Sequence, residues 1–308
     1  MKRRNLIVLF VALTAINLII YYYRDYFHYQ PYRDHSFLYK ECNEDCEALW
    51  KTDFKTSHYK EQIEAKRSVA SWLLDSSNST LVKANQISKQ IYDDFGKRYG
   101  HPKAYLLQLS PFNQYKALNT NTGDSLWCGI YAGMFSYFAW AQNIITRNIE
   151  MKYSDDSHVV SECYIPELKK WIVVDPTFGM LALKNEQGVW LDLQSFRNEL
   201  RNNKTIYVLK SANGKLAFEP LHLNEHYLNH YYKPTNSTDL YYHHTSLQEA
   251  YKPVEKLKRY LLPVSWYYVY DAENKTNIRF GVKLVFIILW VLVIVLLLVT
   301  SYTFKSGN

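Results

Sequence analysis

The chain has 308 residues, with 36 Lys and Arg against 29 Asp and Glu, for a net charge of +7. That excess is spread along the chain rather than gathered into patches, and no nucleic-acid motif or internal repeat is present. The pattern excludes a nucleic-acid-binding protein and a repeat solenoid.

Met1-Lys2-Arg3-Arg4 precede an uncharged run over 6–23, just long enough to span a bilayer. The run is long for a signal peptide and no small-x-small site closes it, while Tyr21-Tyr22-Tyr23 reads as an interfacial aromatic belt. A retained anchor over 1–23 is expected, with cleavage as the alternative. Residues 24–59 are rich in Tyr, His and charge and read as a membrane-proximal lead. Cys42 and Cys46 are close enough to pair in an oxidising compartment, whereas zinc would require a second pair of ligands. Two helix-period segments follow at 60–74 and 84–97, separated by a polar turn at 75–80.

The next segment, Gly123-Asp124-Ser125-Leu126-Trp127-Cys128-Gly129-Ile130-Tyr131-Ala132, opens a long apolar helix. Asp124 or Ser125 can cap it by accepting the free first-turn amides, and the periodicity carries it to about residue 143. Tyr131, Met134, Phe135, Phe138 and Ile145 mark an apolar face; Gly129, Ala132, Gly133, Ser136 and Ala139 mark a small one that lets a sheet approach closely. Cys128 sits in the first turn, where partial positive charge favours thiolate over thiol. That suits a nucleophile; a buried structural Cys and a disulfide to Cys163 are the alternatives.

Ser157–Ile165 and 171–175 read as two strands, rich in β-branched and aromatic residues, joined by a turn that starts at Pro166 and stopped by Pro176. A turn centred between Glu167 and Leu168 pairs Glu162 with Val173 and Val160 with Asp175. His158 and Asp175 then fall on one face as diagonal neighbours, and a slip of one residue would separate them. In this register the carboxylate holds the imidazole tautomer that leaves its other nitrogen for Cys128. Cys163, of opposite parity, points away from His158 as a small hydrophobe.

Beyond Asp175, residues 190–198 and 206–217 mix helix and strand signals, with Asn213-Gly214 as a hairpin turn. His222, His226 and His230 share one helical face, but no Glu stands in a zincin position, so exposed histidines and no metal are expected. Sequons at Asn78, Asn203, Asn236 and Asn274 are explained by the abundance of Asn. Lys256-Leu257-Lys258-Arg259 reads as a solvated helix face or a headgroup contact. After a juxtamembrane stretch over 263–283, a second apolar span runs over 284–302, leaving a cytoplasmic tail at 303–308. The basic N-terminus orients the whole: both termini cytoplasmic, and about 260 residues exported between the spans. The richness in Lys, Asn, Ile and Tyr suits a bacterium with an AT-rich genome.

Residues 123–177 resemble the transglutaminase-like, papain-like cysteine superfamily. Cys128-Gly129-Ile130-Tyr131-Ala132 is similar to its nucleophile motif, and Asn143-Ile144-Ile145-Thr146-Arg147-Asn148-Ile149 to a segment that often reads Gly-Ile-Pro-Ala-Arg-x-Val. Ser157-His158-Val159 and Trp171-Ile172-Val173-Val174-Asp175-Pro176-Thr177 are similar to its His and Asp strands. Leu126 departs from a common Gly, and Asn143 and Ile145 from the usual Gly and Pro.

The resemblance implies an α+β fold over 60–262, a nucleophile helix packed on an antiparallel sheet, here flanked by two transmembrane helices. It implies acyl transfer without a cofactor: Cys128 attacks a protein or peptide amide, His158 moves the proton, Asp175 orients His158, and the Cys128 amide with Trp127 stabilises the oxyanion. Hydrolysis is preferred over transamidation because water is abundant and no amine site is evident. The rival is a non-catalytic scaffold binding a partner at the cell envelope. An oxidoreductase using Cys42 and Cys46 is disfavoured by the x3 spacing and the absence of a βαβ pattern.

Overall fold

The computed structural model describes residues 3–23, 42, 54, 57–73, 78–152, 157–212, 215–222, 228–229, 231, 239–243, 268–270 and 279–306. Cys46, Asn213-Gly214, His226, His230, Asn236, Asn274 and the basic run at 256–259 lie outside them. The chain forms α1 (Arg3–Tyr22), α2 (Tyr59–Trp72), α3 (Thr80–Phe95), α4 (Pro111–Thr120) and α5 (Cys128–Trp140). Strands β1 (Thr146–Lys152), β2 (Ser157–Ile165), β3 (Lys170–Val174) and β4 (Ala182–Asn185) follow, then α6 (Leu193–Arg201). Last come β5 (Ile206–Ala212), β6 (Lys215–Pro220), β7 (Asp239–His243), β8 (Tyr268–Tyr270) and α7 (Arg279–Ser306).

Helices and antiparallel sheets are therefore mixed, and α5 lies between them. It packs on α2, α3 and α4 on one side and on β1 and β2 on the other. Residues 134–140 of α5 are all buried, so this helix is a core element rather than an amphipathic one. Phe138 meets the rings of Trp72 at 4.7 Å, Tyr115 at 5.1 Å and Phe112 at 6.2 Å. On the small face, Ser136 and Ser161 both donate to Asn148 Oδ1 at 2.7 Å, which ties α5 to β1 and β2 without an unpaired polar group.

One sheet runs β3-β2-β1-β7-β8 and the other β4-β5-β6, and neighbouring strands in both pair antiparallel. β2 pairs with β3 in the register expected from the turn, Glu162 opposite Val173. The turn itself is a short 3-10 segment over Pro166–Leu168, closed by Lys169 in the left-handed region at φ 50°. Across β1 and β2, Arg147 and Glu162 form a buried ion pair at 2.5 Å. The other Glu162 oxygen accepts from the Leu193 amide at 2.7 Å, and Arg147 lies 4.0 Å over the Trp171 ring. β5 and β6 pair with Ala212 opposite Lys215, the spacing a two-residue hairpin requires.

Three expectations change. α3 begins at Thr80 rather than 84, because the Ser79 hydroxyl accepts from Val82 N and the Glu167 carboxylate accepts the Thr80 amide at 2.8 Å. α5 opens at Cys128 as expected, but its cap residue is Trp127, which makes no side-chain bond, rather than Asp124 or Ser125, and it ends at Trp140 rather than 143. The mixed signals over 190–198 resolve into α6, whose N-cap Asp192 accepts from Ser195 N at 2.6 Å. Within the lead, Phe54 and Ser57 reach the core: Phe54 packs edge-on against Tyr137 at 5.3 Å, and Ser57 shares a hydrogen bond with the Tyr137 hydroxyl.

α1 and α7 are long and apolar enough to cross a membrane. They pack against each other, with Phe10 stacked on Trp290 at 6.1 Å, Trp290 Nε1 donating to Thr14 at 2.9 Å, and Asn17 donating to the Phe286 carbonyl at 3.3 Å. Partners fall along α7 as they rise along α1, so the pair is antiparallel. Side chains such as Val8, Val11, Leu18, Ile288 and Leu298 remain exposed, a surface suited to lipid.

Because α5 is the core, Phe138→Ala is expected to lower unfolding free energy by about 3–5 kcal/mol, the usual range for a buried Phe. Denaturant titration of the detergent-solubilised protein measures it, and a loss below 1 kcal/mol would contradict the central place of this ring.

Candidate active site

Cys128 opens α5 and is 7% exposed; its small apolar setting is made with Ala132 and Val159. The loop before it is braced by Arg98, three residues beyond the end of α3. Arg98 donates through Nε to the Asp124 carbonyl and through its two terminal nitrogens to the carbonyls of Leu118 and Asn121, at 2.6–2.8 Å. The Asp124 carboxylate takes Lys103 at 2.7 Å and the Tyr105 hydroxyl, and both donors hold it below the usual carboxylate range. Leu126, standing where the related motif often has Gly, is fully buried, and its backbone pairs with residues 98 and 100. Trp127 is 39% exposed. Its indole Nε1 lies 3.6 Å from where a side chain at Gly129 would begin, so it faces the first turn of α5.

At the other end of α5, Asn143 adopts φ 57°, while the amides of Gln142 and Ile144 close onto the Ala139 carbonyl. This left-handed position explains the departure from Gly, since Asn is among the residues that best tolerate it.

His158 lies at the start of β2 and Asp175 directly after β3, and both are fully buried. His158 Nε2 bonds to Asp175 Oδ2 at 2.7 Å. With Nε2 committed to Asp175, the imidazole nitrogen left for the Cys128 sulfur is Nδ1, and Cys128 is close enough to raise the proton affinity of His158. Burial alone would pull the imidazole down. The charge and hydrogen bond of Asp175, joined by those of Cys128, outweigh it and carry His158 from the usual 6.5 up to about 10.

Asp175 is held by the tight turn that follows it. Its backbone bridges Met180 in both directions, and Thr177 N donates to Oδ1 at 2.8 Å. The turn is possible because Gly179 takes φ 65° and lies against the Tyr92 ring, where a side chain would sit 2.9 Å from ring carbons. Burial opposes the charge on Asp175. The His158 charge and the donors from His158, Tyr231 and Thr177 nevertheless keep its carboxyl below the usual range.

The structure thus brings Cys128, His158 and Asp175 together and sets Trp127 beside the nucleophile. Cys42 is disulfide-bonded, and Cys128 and Cys163 are free thiols. Cys163 lies in the core against the Ile172 carbonyl, where burial pushes its thiol up. His222 is exposed and not helical. Among the described residues, no group of three His, Cys, Asp or Glu could hold a metal ion.

Two site residues carry little signal in the sequence. Phe178 packs on the His158 ring at 5.1 Å, and Tyr231 meets the same ring edge-on at 5.5 Å while its hydroxyl donates to Asp175 Oδ2. Phe178 could have been found from its place next to Thr177. Tyr231 is one of 28 tyrosines, and nothing local sets it apart.

No protein-family model and no curated protein matches the chain. Among solved structures, a "putative cysteine protease" from Cytophaga hutchinsonii aligns at 18% identity with a TM-score of 0.32. The alignment covers 65% of this chain and 63% of that one, so the chain spans less than two thirds of that protein. A likeness at this level carries no argument, and the reading of the site rests on its geometry.

A raised His158 contributes stability that is complete below about pH 6.5 and is lost as pH climbs toward 10. Wild-type melting temperature should therefore fall more steeply between pH 6.5 and 10 than that of His158→Gln. Parallel curves for the two proteins would show that His158 gains no proton affinity on folding.

Proposed function

We propose that the chain is a membrane-anchored cysteine acyl-transfer enzyme of the transglutaminase-like type, acting on a protein or peptide amide outside the cytoplasm. The observation that carries this reading is the buried His158–Asp175 hydrogen bond, with Cys128 at a helix N-terminus close enough to act on the same imidazole.

The Cys128 proton passes to His158 Nδ1, and the sulfur attacks the carbonyl carbon of the amide. The resulting oxyanion takes hydrogen bonds from the Cys128 amide and the Trp127 indole N–H. The imidazolium returns its proton to the leaving nitrogen as the C–N bond breaks, which leaves a thioester on Cys128. Water, deprotonated by His158, attacks the thioester and releases the carboxylic acid and the thiol. An amine at this last step would give transamidation; water is the proposed acceptor because it needs no binding site of its own.

Cys128→Ala should lower cleavage of any peptide amide the wild type accepts by about 10³-fold or more. In a Cys163→Ser background, wild-type Cys128 should react with iodoacetamide well below the free-thiol pKa of about 8.5, and His158→Ala should abolish that low-pH reactivity. An ordinary thiol profile would instead return the site, with Cys128 only 7% exposed, to the scaffold reading.

In the proposed topology α1 and α7 form a two-pass hairpin with both termini cytoplasmic, oriented by Lys2, Arg3 and Arg4. A protease-sensitive tag placed after Asn308 should survive external protease on intact cells. Cleavage of the tag from outside would reverse the orientation.

A further inference from the structure

We infer that Tyr231 is a positioning residue for the Cys128–His158–Asp175 site, a fourth member that fixes the Asp175 carboxylate against His158. The inference rests on the catalytic reading proposed above.

The geometry is specific to this role. Tyr231 is fully buried, and its hydroxyl donates to Asp175 Oδ2, the same oxygen that accepts from His158 Nε2. Thr177 N occupies the other oxygen, so the carboxylate has a donor on each side and is fixed in rotation about its own axis. The phenol ring meets the His158 ring edge-on at 5.5 Å, and Phe178 packs on the same ring at 5.1 Å, so the imidazole is held by two aromatic contacts. A buried tyrosine hydroxyl requires a partner, and the one it takes is a charged oxygen of the site.

The placement of Tyr231 is itself secured. Arg197, buried on α6, donates through Nε to the Tyr231 carbonyl at 3.0 Å, and Phe196 packs on the ring at 5.0 Å. The Tyr231 amide closes onto the Leu228 carbonyl at 2.9 Å. A segment far from the nucleophile loop is thereby anchored through α6 and directed at one oxygen atom. The titratable groups facing Asp175 are His158 and Tyr231, with Tyr131 of α5 close enough to feel its charge.

The role differs from simple packing in what it predicts. Tyr231→Phe keeps the ring contacts and removes only the donor. Without that bond Oδ2 can turn away from Nε2, and His158 loses the orientation that presents Nδ1 to the sulfur. The low-pH alkylation of Cys128 by iodoacetamide should then fall at least about tenfold; losing a bond to a buried charged oxygen also lowers the melting temperature, so the pH profile rather than stability is the readout.

The full-length, detergent-solubilised protein in the Cys163→Ser background is used, with Tyr231→Phe, Asp175→Asn, the double variant and His158→Ala compared over pH 5–9. The expected result is that Tyr231→Phe and Asp175→Asn each depress the acid limb, and that the double variant falls no further than Asp175→Asn alone. A Tyr231→Phe profile that matches wild type while His158→Ala abolishes the acid limb overturns the role of Tyr231 and leaves the catalytic reading standing. Independent, multiplying losses in the double variant overturn it equally. An unchanged acid limb in His158→Ala overturns both. Should Tyr231→Phe not fold, Arg197→Lys, which loosens Tyr231 from outside the site, replaces it; an acid limb unchanged by Arg197→Lys overturns the proposal.

Discussion

A carboxylate and an imidazole, both fully buried, meet at 2.7 Å between the start of β2 and the end of β3. Two ionisable groups taken out of water cost several kcal/mol each unless their geometry and remaining hydrogen bonds are satisfied. Most of the surrounding architecture answers that requirement. The β2–β3 register puts the two residues on one face, the turn over 175–180 aims the carboxylate, and Gly179 lets the turn close against Tyr92. Thr177 and Tyr231 supply the donors that the imidazole leaves unfilled. Removing one partner would strand the other charge, so these elements hold one another in place.

The parts of this arrangement that were legible in the sequence are those encoded within a few residues of one another. Pro166 and the alternation on either side specify the β2–β3 pairing, because a slip of one residue would turn Glu162 and His158 to the wrong face. The opening of α5 at Cys128 was legible, but its cap was not. Asp124 and Ser125 are good cap residues, yet Asp124 is drawn into contacts with Lys103 and Tyr105, and the helix starts three residues later without a side-chain cap. Tyr231 was beyond reach for a similar reason, since its partner lies 56 positions away and no local pattern records the contact.

The apolar helices show the same division. Length and hydropathy identify α1 and α7 as segments able to cross a membrane, but not that they pair. Their pairing depends on a few polar atoms, with the Trp290 indole on Thr14 and the Asn17 amide on a main-chain carbonyl of α7. In an apolar surrounding such groups have few other partners, so each favours association of the two helices in one register. The antiparallel pair brings the two ends of the intervening chain to the same side, which suits a domain carried between two spans.

The hydrogen-bond inventory of Asp175 also constrains how a proton could move through the site. Oδ1 accepts from a backbone amide, and Oδ2 accepts from both an imidazole and a phenol. A proton transferred to this carboxylate would replace an accepted bond on an oxygen already surrounded by donors, in a setting that keeps its proton affinity below the usual range. His158 has the opposite bias, raised to about 10, and with Nε2 on Asp175 its second nitrogen is the one left for the sulfur. In the proposed reaction the proton taken from Cys128 would therefore stay on the imidazole, available to a leaving nitrogen on the carbon that the sulfur attacks. In that reaction Asp175 would act through orientation and charge, since the donors around it oppose its taking the proton itself.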